Sequence, residues 1–405
     1  MRHSSVARNY SHMTIAQIAA AVISLCIYPL VIRRVGADSY GWYVFGTSLV
    51  NYFASFVSFG IRFPAVKAIV ETIDDRDTTN RTITTIYATK GILTLIATIA
   101  FLVIIVAVTP LREHSALMIV LWALVINEML LPQWFFQGWQ KMQYISYVAV
   151  ICRLVSIIPI AIWVKDSGDV LLFAIMSMGF ALLAALISTA VMFAKYGVRL
   201  VKINSSDIKQ LLKDAFPFFT TDIIAVLKSE TATMLIGALL GMRDVAIYDL
   251  ANKIVTIPRM MITNINHALF PDVVGNPNRD VKRIIRQEYI IGLISMAAVI
   301  VFAYPLALIL GGRDMMAAIP VVAIVSVTLV TWLVVGAYIA FVFVPNNKYY
   351  QVTINQAIAL ISFLAIGIPA VLIWRNVYAI SIAITLSGVA ELIHCTIVTR
   401  KKKLL

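Results

Sequence analysis

The chain has 405 residues, 61% of them hydrophobic and 13% charged, with mean hydropathy +0.90 and a net charge of +13. So apolar a composition excludes a soluble globular protein of this length and describes a polytopic membrane protein. On a soluble protein the positive charge would suggest nucleic acid. Here most of it lies between apolar runs, where it sets topology, and no nucleic-acid partner is expected.

Twelve apolar segments are predicted as helical spans: residues 11–32, 41–63, 86–109, 116–138, 143–164, 170–194, 216–240, 245–270, 288–311, 315–343, 350–374 and 376–399. Most match the roughly 20 residues a helix needs to cross hydrocarbon. The first is too long and too polar at its start for a cleaved signal peptide, and it reads as a span. It carries Thr14, Gln17, Ser24 and Tyr28 on one stripe; the second carries Ser48, Asn51, Ser55, Ser58 and Arg62. Such hydroxyls also serve helix packing, and Arg62 could equally reach lipid headgroups. In the following loop, Asp75-Arg76-Asp77 has a metal–nucleotide spacing but reads as a solvated turn.

Glu128 and Arg153 lie about equally far from the turn between the fourth and fifth spans. They are expected to form a structural ion pair, with a coupling-ion site on Glu128 as the alternative. Residues 196–214 form the longest charged connection and the expected cytoplasmic linker between an N-terminal lobe (1–195) and a C-terminal lobe (215–405). The seventh span holds Asp222, Lys228 and Glu230. The eighth holds Asp249, Asn252, Thr256, Arg259, Thr263 and Asn266 at three- and four-residue spacing, which puts all six on one helical stripe. Arg259 sits near its middle, and a charge there normally faces protein interior or water and marks a path. Lys228 and Arg259 flank the turn near residue 243 at similar depth, and they cannot neutralise one another. Lys253 adds a third cation. Either a bound anion such as phosphate balances these cations, or Glu230, Asp222 and Asp249 pair them internally. In the last span Glu391 and His394, three residues apart, are expected to satisfy each other. Cys26, Cys152 and Cys395 all lie in apolar runs, so neither a disulfide framework nor a metal site is expected.

With both termini cytoplasmic, twenty of the 33 Lys and Arg fall on that side and seven on the other. Internal identities recur in register: Gly36 and Tyr43 as Gly241 and Tyr248, Phe63-Pro64 as Phe270-Pro271, Lys141 as Lys348, and Thr14 as Thr221. The fold expected is all-α, about twelve transmembrane helices in two six-helix lobes. A pseudo-two-fold axis along the membrane normal would relate them, because an even number of spans preserves orientation. Polar lining on the first, second, seventh and eighth spans then describes a cavity between lobes. No phosphate-binding loop, metalloprotease motif or nucleophile elbow occurs, and no cofactor or enzymatic chemistry is expected.

Val35-Gly36 through Tyr40-Gly41, Pro132-Gln133-Trp134-Phe135-Phe136-Gln137-Gly138 with Lys141-Met142 and Tyr144-Ile145, and Tyr248, Ala251 and Lys253 followed by Phe270-Pro271 carry a family likeness. The chain resembles the polysaccharide repeat-unit flippases (Wzx type) of the multidrug/oligosaccharidyl-lipid/polysaccharide exporter superfamily. Asp272 is a departure, where a small or basic residue is expected. The resemblance implies a transporter that works by alternating access in a bacterial plasma membrane. It would move undecaprenyl-pyrophosphate-linked oligosaccharide from the cytoplasmic to the outer leaflet, for O-antigen or other surface polysaccharide. It also implies a cation-lined lumen, a role that falls on Arg259, Lys228, Lys253 and Arg62. Asn51, Asn252, Thr256, Thr263 and Asn266 would supply polar lining, and Trp or Tyr rings would receive sugars. The implied partners are the lipid-linked substrate, membrane lipids, a coupling ion (proton or sodium) held at Glu128, Asp222 or Glu230, and a polysaccharide polymerase. The rival readings are an organic-ion antiporter of the same superfamily and a membrane enzyme of glycan polymerisation. Acids in the lumen would mark the first, and long outer loops the second.

Overall fold

The computed structural model describes residues 22–23, 25–275, 280–402 and 404, with the side chains of a few residues in 264–275 left aside. Thr14, Gln17 and Ser24 of the first predicted stripe lie outside the described residues, as does the side chain of Asp272. Helix α1 covers residues 25–35, α2 Ala37–Ser58, α3 Arg62–Thr72, α4 Arg76–Ala107, α5 Thr109–Glu113 and α6 Ser115–Leu121. Then come α7 Ala123–Leu130, α8 Gln133–Gly138, α9 Gln143–Trp163, α10 Val170–Tyr196 and α11 Ser205–Leu239. The remainder are α12 Met242–Gly275, α13 Val281–Gly311, α14 Ala318–Ala337, α15 Tyr349–Trp374 and α16 Val377–Lys401. No strand occurs among the described residues.

Nine helical stretches among the described residues are long and apolar enough to cross a membrane, and the chain is an all-α, multi-pass membrane protein. The predicted spans outside that nine are the first, seventh and eighth. The first lies largely beyond the described residues. The other two are α11 and α12, of 35 and 34 residues. Their length suffices; their polar and charged side chains lower their hydropathy.

The chain forms two compact units. The first comprises Met1–Ser39 and Gly46–Val226, the second Tyr40–Phe45 and Leu227–Leu405. Within the first, Asp75 caps α4, its carboxylate accepting from the backbone N–H of Asp77 (3.0 Å) and Thr78 (3.4 Å). The D-x-D sequence therefore serves a helix N-terminus. The linker is stitched to α4: Arg199 N–H donates to Asn80 Oδ1 (2.9 Å), Val201 N–H donates to Thr84 Oγ1 (3.1 Å), and Arg81 grips Asp207 through two bonds of 2.9 and 3.0 Å. Bonds from the Asn204 backbone and from Arg81 hold the Asp207 carboxyl below the usual carboxylate range. The Trp134, Phe135 and Phe136 side chains of the P-x-W-F-F-Q-G element are all buried, and Phe135 meets Trp139 and Tyr196 edge-on or tilted at 5.8 and 5.2 Å. That element is a packing motif of α8 against its neighbours.

In the second unit α14 is the central helix, flanked by α12, α13 and α16 and buried along most of its length. Tyr40–Phe45 packs into this unit. At Gly41 a Cβ would overlap the carbonyl oxygen of Met242, which begins α12. Gly41→Ala is therefore expected to destabilise the protein by about 3 kcal/mol, the upper range for overpacking. Thermal unfolding of the purified protein in detergent would register this as a lowered midpoint, and an unchanged midpoint would refute the contact.

The internal repeat extends to the backbone. Gln140 and Asn347 both adopt left-handed φ, 54° and 55°. Lys141 N–H donates to the Phe136 carbonyl and Lys348 N–H to the Phe343 carbonyl, each at 2.8 Å. Just upstream, both helices are interrupted at corresponding places. Pro132 separates α7 from α8 in the first unit, and a π-helical turn over Tyr338–Phe343 follows α14 in the second. The ends of α10 and α16 match as well, since Lys195 lies over Tyr144 and Lys402 over Tyr350, each donating to the phenol oxygen.

Candidate functional site

Helix α12 carries the predicted stripe as one uninterrupted helix. Asp249, Asn252, Thr256, Arg259 and Thr263 are partly exposed on it, whereas Ile247, Leu250, Ala251 and Ile254 on the other face are buried. The 3.6-residue period thus separates a polar face from a packing face.

The charges pair differently from what their depths suggest. Lys228 on α11 forms an ion pair with Glu391 on α16, and their side chains are 17% and 8% exposed. Glu391 in turn accepts from Asn355 Nδ2 (3.5 Å), and His394 Nδ1 meets Asn355 Oδ1 (2.9 Å). Glu391 and His394 therefore do not satisfy each other; both converge on Asn355 of α15. Lys228 is neutralised within unit 2 and does not join Arg259 as an uncompensated pair. The reason is spatial: α16 stands beside α11 at this depth, which sequence separation conceals.

Lys253 pairs with Asp249 one turn earlier, the favourable acid-before-base order on a helix. Tyr40 joins them, donating to Asp249 Oδ2 (3.1 Å) while its hydroxyl oxygen accepts from Lys253 (3.1 Å). Arg259 is held otherwise. Its Nη2 donates to Thr256 Oγ1 (3.1 Å), and its guanidinium lies 4.6 Å from the Trp332 ring centroid on α14, a cation–π contact. Among the described residues, no carboxylate pairs with it. Asn252 bonds Tyr248, and Thr263 returns its hydroxyl to the Arg259 carbonyl (2.9 Å).

Asn266 departs from the expected wet face. It is 6% exposed and donates to the Leu333 carbonyl of α14 (3.0 Å), in space opened by Gly336. Its role here is to join two helices. In the first unit, Glu128 pairs with Lys90 of α4 (2.9 Å), which also donates to the Glu128 carbonyl (2.8 Å). The predicted Glu128–Arg153 pair is absent, and Arg153 is exposed. Consecutive helices were the wrong neighbours to compare, because α4 packs directly on α7. Arg62 lies beside the Phe63 ring and acts electrostatically on Asp222. Asn51 is half-buried on α2 and Glu230 half-buried on α11, both engaged by other groups.

Trp332 and Glu391 were not singled out with these roles by sequence reasoning. The single tryptophan of the 315–343 span is the one signal that could have pointed to the first.

The sequence pattern of a family described as polysaccharide biosynthesis protein matches residues 6–274. The chain belongs to this family. A protein of Escherichia coli (strain K12) named "Putative O-antigen transporter" is 24% identical over 273 residues, 66% of this chain and 65% of that protein. The match thus spans just under two thirds of the relative's length. Among solved structures, "Lipid II flippase MurJ, inward closed conformation" superposes with a TM-score of 0.76 at 11% identity, over 95% of this chain and 87% of that one. An outward-facing multidrug resistance MATE family transporter of the MOP superfamily gives 0.62 at 15% identity, over 97% and 94%. These likenesses show that the chain shares the fold of those two structures. The curated relative and these solved neighbours are named as transporters or flippases.

Proposed function

We propose that this family member flips undecaprenyl-pyrophosphate-linked oligosaccharide repeat units from the cytoplasmic to the outer leaflet of a bacterial plasma membrane, for surface polysaccharide biosynthesis. Lobes at 1–195 and 215–405, joined by the cytoplasmic linker 196–214, would alternate access, with both termini cytoplasmic. A coupling ion, proton or sodium, and a polysaccharide polymerase as partner belong to the same reading. Family membership and the O-antigen transporter relative support the substrate class.

The observation that carries the reading is Arg259. Its guanidinium rests on Trp332, with one N–H on Thr256 and no carboxylate paired with it among the described residues. A planar fork held by its face leaves its edge to grip two phosphate oxygens at once. Lys253 is shared between Asp249 and Tyr40 and contributes position more than net charge, while Asn252 and Thr256 offer hydrogen bonds alongside. The Arg259 charge on this face opposes an organic-cation substrate.

The test is reconstitution into vesicles containing fluorophore-tagged undecaprenyl-pyrophosphate oligosaccharide, with lectin accessibility as readout. Protein-dependent transfer of the sugar across the bilayer is expected, with no accumulation of ethidium. Ethidium transport without lipid-linked sugar transfer would reverse the assignment in favour of the antiporter.

A further inference from the structure

Glu288 lies in the first third of α13. It is 1% exposed, and neither carboxyl oxygen has a hydrogen-bond partner. Among the described residues, no charged side chain acts on it. One helical turn before it, Ile284 and Ile285 belong to a buried cluster with Val334, Ala337 and Tyr338. One turn after it, Gly292 brings α13 so close to α14 that a Cβ would lie 3.0 Å from the Val330 Cα. The two helices are joined by a short connection and run antiparallel, so stepping from Gly292 back to Glu288 steps from Val330 toward Val334. Glu288 therefore sits in the α13–α14 seam.

The described groups around it are neutral. Helix α14 has no ionisable residue from Ala318 to Ala337. The π turn contributes Tyr338, α13 itself Tyr289, and α16 Cys395, which are phenols and a thiol. Helix α12 approaches the cluster with Leu269, Phe270 and Val273. Its His267 and Asp272 lie outside the residues whose side chains are described. An ionised carboxylate without a donor is strongly disfavoured in such a place, whereas a neutral carboxyl is tolerated.

We infer that Glu288 is a proton-binding site whose loading is tied to closure of the α13–α14 seam. The neutral acid fits the packed seam. On release the O–H bond breaks, the electron pair stays on the carboxylate, and the proton passes to a water that must enter. The resulting charge then requires solvation, so the seam cannot repack until a proton returns. The π turn stands at the end of this seam, where a helix is locally widened and where such turns mark functional positions. None of Glu128, Asp222 or Glu230 is needed. As a coupling site the inference rests on the transport reading above; as a proton site it does not.

The experiment is an infrared pH titration of the protein in proteoliposomes, comparing wild type with Glu288→Gln, which preserves shape and mimics the neutral acid. The wild-type-minus-variant difference should contain a protonated-carboxyl C=O stretch that disappears on alkalinisation. The variant should unfold at or above the wild-type temperature. Absence of that difference band, or its persistence at all pH values, would overturn the proton site. In the same vesicles, an imposed pH difference should change the rate of oligosaccharide-lipid transfer by wild type at least severalfold, and that of the variant not at all. A variant that responds like wild type would overturn coupling through Glu288 while leaving the flippase reading intact. Wild type that transfers nothing would remove the flippase reading, and the infrared band would still decide the proton site.

Discussion

Arg259→Glu is expected to reduce lipid-linked oligosaccharide transfer at least ~100-fold, because charge-assisted hydrogen bonds contribute about 1.5–3 kcal/mol and the reversed charge adds repulsion toward phosphate. Arg259→Lys should recover part of the rate, since it restores the charge but not the planar fork. The fold should survive, because Arg259 is half-buried and its protein contacts are one hydroxyl and one ring face. Trp332→Ala should give a milder loss, about 5-fold, in line with about 1 kcal/mol for a partly exposed cation–π contact. Initial rates in reconstituted vesicles would measure all three. A charge-reversed protein that transfers within twofold of wild type would remove Arg259 from the site.

The second large effect concerns stability. Glu391→Ala strands the Lys228 ammonium inside the α11–α15–α16 contact, beside the fully buried Asn355. Breaking a buried pair from one side typically costs about 3–5 kcal/mol, whereas replacing both partners by apolar residues is often close to neutral. The single variant should therefore lose much of its thermal stability, and Lys228→Met with Glu391→Leu should regain most of it. Equal midpoints for the single and double variants would show that the pair carries no such role. The double variant would also separate structure from transport: a stable protein with normal transfer assigns Lys228 to the scaffold.

The fold was legible because its signals are collective. Apolar runs and the recurrence of Gly36 at Gly241 report properties of long segments, which a few local surprises do not alter. The stripe on α12 was legible for the same reason, since helical period alone groups Asn252, Thr256 and Arg259. Pairing was not legible. Depth along the chain ranks candidates only between consecutive spans, yet Lys228 meets a residue 163 positions away and Lys90 meets one 38 positions away. Asn266 shares the stripe's phase, but α14 covers that end of it, which helical period does not reveal. Glu288 opens the ninth predicted span directly after the basic cluster of Lys282, Arg283 and Arg286, where a carboxylate reads as part of a solvated boundary.

The two interrupted helices differ in what holds the interruption. At Pro132 the break is covalent, since a proline nitrogen has no hydrogen to give and its ring excludes the preceding turn. At Tyr338–Phe343 every residue has its N–H, and the wider hydrogen-bond ring persists only while its side chains stay packed. One half of the molecule therefore carries a permanent interruption and the other a reversible one, which a one-residue change of hydrogen-bond register would return to regular α-helix.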